Sequence, residues 1–191
     1  MTLTTTRPRP DEAVPALRAV DEQHLMAVAR QAVTAASRGE EPVSGGAPSA
    51  LPMPAGVFVT LRDGEGRLRG CVGHVECRLG SLEEEVAECA RAAATRDWRF
   101  HPVTPDEVAQ LRLELSLLGR MEPVDDLGEL DPRVYGITVT QGARRGVLLP
   151  GIDGIDTPQD QFHAVCRKAG ITGGATRIFR FPVRKVMEPV A

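Results

Sequence analysis

The chain lacks any apolar run of the roughly 18 residues that a membrane-spanning helix needs. Its opening stretch, MTLTTTRPRPDEAVP, has no continuous apolar core of the kind a secretory signal carries. A cytoplasmic location and no membrane contact are therefore expected. Cysteine is scarce: Cys71, Cys77, Cys89 and Cys166 stand in 191 residues, too large a chain to need disulfides for folding. No three-cysteine cluster exists for an iron–sulfur centre, so the chain is not expected to be itself a radical enzyme of that kind. Aromatics make up only 4%, with a single Trp and a single Tyr, and the basic pairs Arg144-Arg145 and Arg184-Lys185 have no aromatic residues interleaved. With a net charge of −3, nothing marks a nucleic-acid surface, and those pairs read as solvated faces. Lysine is nearly missing, Lys168 and Lys185 among 23 basic residues, and this carries no functional weight.

What is present points to an ordinary globular domain. Hydrophobic residues are 42% and charged residues 26%, enough of the former to build a core and so to exclude overall disorder. Residues 1–16, with Pro8, Pro10 and Pro15, read as a mobile leader. A single domain is expected over 17–191. Leu25, Val28, Ala29, Ala32, Val33 and Ala36 recur at helical spacing within 17–37, and Gly39 offers a C-cap. Prolines, glycines and serines then gather over 39–56 as a surface loop.

VFVTLRDGEGRLRGCVGHV has β-branched and apolar residues on both sides of Asp63-Gly64-Glu65-Gly66, the pattern of a hairpin with a loop of three to five residues. Ser81 and Glu84 form a capping box before a helix whose apolar face is Leu82, Val86, Cys89, Ala90 and Ala93. Thr104-Pro105-Asp106-Glu107 starts a short helix to Gln110. LRLELSLL alternates as a half-buried strand. YGITVT and RGVLLP make a strand pair, Thr157-Pro158 starts a last helix ending at Gly170, and RIFRFPVRKV closes as a strand. Helices mixed irregularly with hairpin strands predict an α+β fold with a largely antiparallel sheet.

The chemistry concentrates in GRLRGCVGHVEC, residues 66–77. On a regular strand Arg69, Cys71 and Gly73 share one face, while Leu68, Val72 and His74 share the other. A guanidinium beside Cys71 would favour its thiolate, and Gly70 and Gly73 would let a ligand approach backbone N–H groups able to hold an oxyanion. The competing reading makes Cys71 a small packed residue and the glycines mere bulge positions. A metal clamp of Cys71, His74 and Cys77 is opposed by strand parity, because residues three apart face opposite ways, and no metal is assigned. No histidine falls on the face of Cys71, so a catalytic base would come from a bulge at Gly73 or from His101 or His163. Cys166 and Phe162 read as core of the last helix, with His163 at its margin.

The blocks FVTL, LRGCVGHVE, AAATRDWRFHPV, LRLELSLL, GITVTQGARRGVLLP and KAG resemble, in order and spacing, the AMMECR-type domain family. LLPGIDGIDTPQDQFHAVCRKAGI followed by FRFPV is similar to its bacterial branch, AmmeMemoRadiSam system protein A. The resemblance implies two unequal lobes with a cleft between them, beside which the LRGC block lies. It falls on Leu68, Arg69, Gly70, Cys71 and Gly73, and on Asp97, Arg99 and Phe100 of the D-x-R-F block. Members commonly carry a threonine-like residue where His74 stands, so a metal role for His74 or Cys77 would be peculiar to this chain. By association with the family, the expected partners are a Memo-like protein of the dioxygenase fold and a radical SAM enzyme.

The resulting expectation is a cysteine-dependent enzyme or small-molecule-modifying component. Cys71 is its nucleophile, Arg69 its activating cation, and Gly70, Gly73, His74, Asp97 and Arg99 its binding residues, with no cofactor. The alternative is a non-catalytic metabolite-binding or interaction module in which Asp97, Arg99 and Phe100 lock the second helix to the sheet.

Overall fold

The computed structural model describes residues 14–40 and 51–188. Most of the expected leader and of the 39–56 loop lies outside the described residues, and Val14, at the leader's end, is buried. The described residues divide into two compact units of unequal size: Pro15–Leu118 with 184–188, and Gly119–Val183 with Val14.

In the larger unit the elements are α1 (Ala19–Ser37), β1 (Gly56–Arg62), β2 (Leu68–His74), α2 (Leu82–Thr95) and β3 (Arg112–Leu118). β1 pairs antiparallel with both β2 and β3. The hairpin turn occupies 63–67: the Gly66 amide donates to the Asp63 carbonyl at 2.9 Å, and Gly66 takes φ +81°, which glycine accepts without strain. Val57, Val59 and Leu61 alternate inward and are fully buried, with α2 packed on β1 and β2 and α1 packed on α2. The helix-start chemistry holds at α2, where the Ser81 hydroxyl accepts from the Glu84 amide at 3.3 Å and the Glu84 carboxylate accepts from the Ser81 amide at 3.1 Å.

Two expectations need correction. The helix expected over Thr104–Gln110 is a chain of turns closing in one 3-10 turn at Val108–Gln110. The Thr104 amide and hydroxyl are tied to Glu107, which then turns to Arg69 rather than starting a longer helix. β3 is buried on both faces, not one. The reason is an ion pair the local pattern cannot reveal: buried Glu114 meets Lys185 at 3.2 Å, so a charge sits at an interior position with its partner supplied.

The smaller unit holds β4 (Glu122–Val124), β5 (Tyr135–Gln141), β6 (Arg144–Leu148) and α3 (Pro158–Ala169), with most of β7 (Arg177–Met187). β7 pairs antiparallel with β4 and β5, and β5 pairs with β6. α3 starts on the Thr157 cap with Pro158 at its first position and ends at Gly170, φ +65°, as the sequence predicts. Its Val165 and Cys166 join Val124, Leu130, Ile137, Val139 and Ile171 in the core. The fold is α+β with an antiparallel sheet. Among the described residues no helix is long and apolar enough to cross a membrane.

Candidate functional site

β2 carries the signature and gives its two faces different surroundings. On the outward face Cys71 pairs across the ladder with Thr60, whose hydroxyl donates to the Cys71 sulfur at 3.5 Å. The Cys71 amide donates to Asp97 Oδ2 at 2.8 Å. Asp97 is buried just beyond α2 and also accepts from Arg99: the backbone amide at 3.2 Å, Nε at 2.9 Å and Nη2 at 2.6 Å. Burial alone would raise the Asp97 carboxyl. The hydrogen bonds from the Arg99 guanidinium and the Cys71 amide outweigh it and hold the group below its ordinary 3.8. Arg99 in turn is raised by its hydrogen bond to Asp97, and the Cys71 sulfur lies within its electrostatic reach. Its Nη2 also reaches the Cys71 carbonyl at 3.5 Å.

Arg69 is differently engaged. It binds Glu107 through both carboxylate oxygens, Nε at 2.8 Å and Nη2 at 3.0 Å, and that bond is the main reason Glu107 is pulled down to about 2. Arg99 is thus a cation in electrostatic contact with Cys71, and Arg69 is engaged by a carboxylate that sequence reasoning did not assign. Phe100 lies between the two guanidinium groups, 5.9 Å from Arg69 and 5.5 Å from Arg99, both within cation–π range. Arg69, Arg99, Phe100, Trp98 and His101 line a pocket of about 470 Å³. Trp98 is 91% exposed. Arg69 Nη1 is buried and has no hydrogen-bond partner among the described residues.

The glycines are close-packing positions. A Cβ at Gly70 would stand 2.3 Å from the Ala93 carbonyl oxygen of α2, and one at Gly73 would stand 2.2 Å from the Val57 carbonyl oxygen. The space expected for a ligand is filled by backbone. Between these glycines the Cys71 N–H is held by Asp97. His74 faces α2, away from Cys71: its Nδ1 is 2.6 Å from Glu85 Oε1 and 3.9 Å from Cys89 Sγ. Thus Arg69, Cys71, Asp97 and Arg99 are brought together, and Gly70, Gly73 and His74 serve other purposes. Trp98, Glu107 and Glu85 were missed, whereas His101, one of the two distant histidines considered as a base, lines the pocket. Glu85 left one legible trace, since it sits on the α2 stripe between Leu82 and Cys89 where an apolar residue is expected. No disulfide joins the four cysteines.

The molecule is thus an α+β domain with an antiparallel sheet, whose second strand holds an arginine-flanked cysteine beside an aromatic pocket. The AMMECR1 family profile matches residues 26–186, and the chain belongs to that family. A protein of Thermotoga maritima is 44% identical over 133 residues, covering 69% of this chain and 76% of its own. One from Methanothermobacter thermautotrophicus is 34% identical over 175 residues, covering 82% and 88%. A longer protein of Clostridium acetobutylicum matches at 36% over 119 residues, 62% of this chain but 25% of its own length. The crystal structure of an uncharacterised protein from Pyrococcus horikoshii superposes with a TM-score of 0.77 at 25% identity, covering 88% of this chain and 92% of that one.

Proposed function

We propose that this AMMECR1-family protein binds a small planar molecule with acceptor oxygens in the Trp98–Phe100 pocket, and that Cys71 is the nucleophile presented to it. The observation that carries the reading is the lining itself, in which the aromatic rings of Trp98 and Phe100 stand with two guanidinium groups, Arg69 at 5.9 Å and Arg99 at 5.5 Å from the Phe100 ring. Trp98 and Phe100 offer flat apolar faces, and Arg99 supports a thiolate at Cys71 while Thr60 donates to its sulfur. His101, at the pocket, is the candidate base, as His74 faces the other way. The Memo-like protein and the radical SAM enzyme associated with the resembling bacterial branch are the proposed partners, as source or recipient of that small molecule.

Trp98 is the chain's only tryptophan, so its emission reports the pocket directly. Benzoate, nicotinate and AMP are suitable probes. Saturable quenching by one of them, lost in Arg69→Gln, supports the reading; absence of quenching by all three counts against it. The Cys71 role is tested with iodoacetate and iodoacetamide, mapping all four cysteines by mass spectrometry. A higher iodoacetate-to-iodoacetamide ratio at Cys71 than at Cys77 is expected. An inert Cys71 in the folded protein moves the assignment to the second reading, a non-catalytic binding module. The Asp97 latch favours that second reading, because it ties the end of α2 to the Cys71 backbone with no need of the thiol.

A further inference from the structure

On the opposite face of β2, three ligand-type side chains converge that the pocket does not use. Glu85 and Cys89 are four residues apart on α2 and so share a face, and His74 reaches them from the strand. One atom of each, His74 Nδ1, a Glu85 carboxylate oxygen and Cys89 Sγ, lies within 4.8 Å of the others. Tetrahedral zinc with ordinary bond lengths requires ligand-to-ligand edges of about 3.3–3.6 Å. The observed 2.6 Å and 3.9 Å therefore bracket the required edge, and side-chain adjustment of less than about 1 Å reaches it. Glu85 is fully buried, and its Oε2 accepts from the amides of Arg78 at 2.9 Å and Leu79 at 3.0 Å. Those two bonds fix the carboxylate and leave Oε1 facing His74 and Cys89, the outer-shell support that ligating carboxylates have.

We propose that His74, Glu85 and Cys89 bind one zinc ion that clamps β2 to α2. One thiolate, one imidazole and one carboxylate suit zinc by ligand type, and a solvent molecule completes its four positions. On binding, the Cys89 thiol loses a proton to solvent and forms a zinc–sulfur bond, and the proton between His74 Nδ1 and Glu85 Oε1 leaves, with Nε2 carrying the imidazole's remaining proton, so that both atoms bind the metal. Cys71, Cys77 and Cys166 lie outside the clamp.

The test uses the full chain, reduced and stripped with EDTA, and titrated with Co²⁺ as a spectroscopic substitute. One equivalent is expected to give thiolate-to-cobalt charge-transfer absorption and tetrahedral ligand-field bands, both bleached by Zn²⁺. Cys71→Ser is expected to leave the spectrum unchanged. Cys89→Ser and His74→Thr are each expected to weaken cobalt binding by at least about tenfold, and Cys89→Ser to remove the thiolate absorption with its single Co–S bond. His74 is only half-buried, so His74→Thr decides the matter if Cys89→Ser fails to fold. No thiolate absorption in the parent chain, cobalt binding unaltered in His74→Thr, or thiolate absorption retained in Cys89→Ser overturns the site.

Discussion

Cys71 on β2 and the cysteines of the connection and helix that follow it, Cys77 and Cys89, stand in different electrostatic surroundings. On the outward face Cys71 is half-exposed, with a guanidinium and a hydroxyl turned toward it. On the inward face burial pushes the Cys89 thiol up to about 12, with the Glu85 charge adding to it, and burial with the same charge lifts Cys77 to about 11. Thiols of the first kind react, and those of the second stay protonated until something replaces water around them. The comparison teaches that strand parity, and not the local density of cysteine and histidine, sorts the chemistry of this segment.

The comparison is broken most forcefully by Glu85→Ala, with a chelator present throughout. It removes the acceptor of two backbone amides and the partner of His74 inside the core, and a loss of about 3 kcal/mol or more is expected in urea unfolding. Cys71→Ser on the other face is expected to stay within about 0.5 kcal/mol of the parent chain. A similar loss for both would erase the distinction between a built interior and an adaptable exterior. Gly70→Ala comes next. Its Cβ would meet a backbone oxygen of α2 at 2.3 Å, an atom no rotamer change can move, so about 2–3 kcal/mol of destabilisation is expected. Gly64→Ala in the hairpin turn, where nothing lies within 4 Å, supplies the control.

How much of this was legible depends on the range of the interactions. Helix caps at Ser81 and Thr157, the turn at 63–67 and the parity of β2 follow from neighbours in sequence, and the structure bears them out. The same parity opposed a clamp joining Cys71 to His74, and the two do face apart. What escaped reading rests on contacts between distant residues. Arg69 is matched with Glu107, 38 positions on, so the cation expected to activate Cys71 is occupied elsewhere. β3 tolerates an interior Glu114 because Lys185 arrives from β7. Gly70 and Gly73 looked like openings for a ligand because a sequence does not say what fills the space beside a glycine.

A smaller effect sharpens the outward face. Asp97→Asn removes the negative charge beside Arg99 and keeps a similar shape, leaving the guanidinium's field to act on Cys71 alone. The pH profile of Cys71 alkylation is expected to move to lower pH, and Arg99→Gln to move it higher. Opposite or absent shifts would show that Arg99 does not govern the thiol.

The smallest expected effect concerns Glu107 and separates the two arginines. Its folded-state value of about 2 lies below its ordinary 4.5, so the pair's contribution to stability is fully present above about pH 4.5 and is lost as pH falls through about 2. The full shift would correspond to about 3 kcal/mol. Glu107 is more than one-third exposed, and solvent screening reduces the expected contribution to about 1 kcal/mol. Glu107→Gln is thus expected to destabilise the chain by that amount near about pH 6 and to match it near about pH 2. The same variant frees Arg69 of its carboxylate. If Arg99 is the cation that matters to Cys71, alkylation of Cys71 in Glu107→Gln follows the parent pH profile; a shift to lower pH would return that role to Arg69 and make the outward face a two-arginine site.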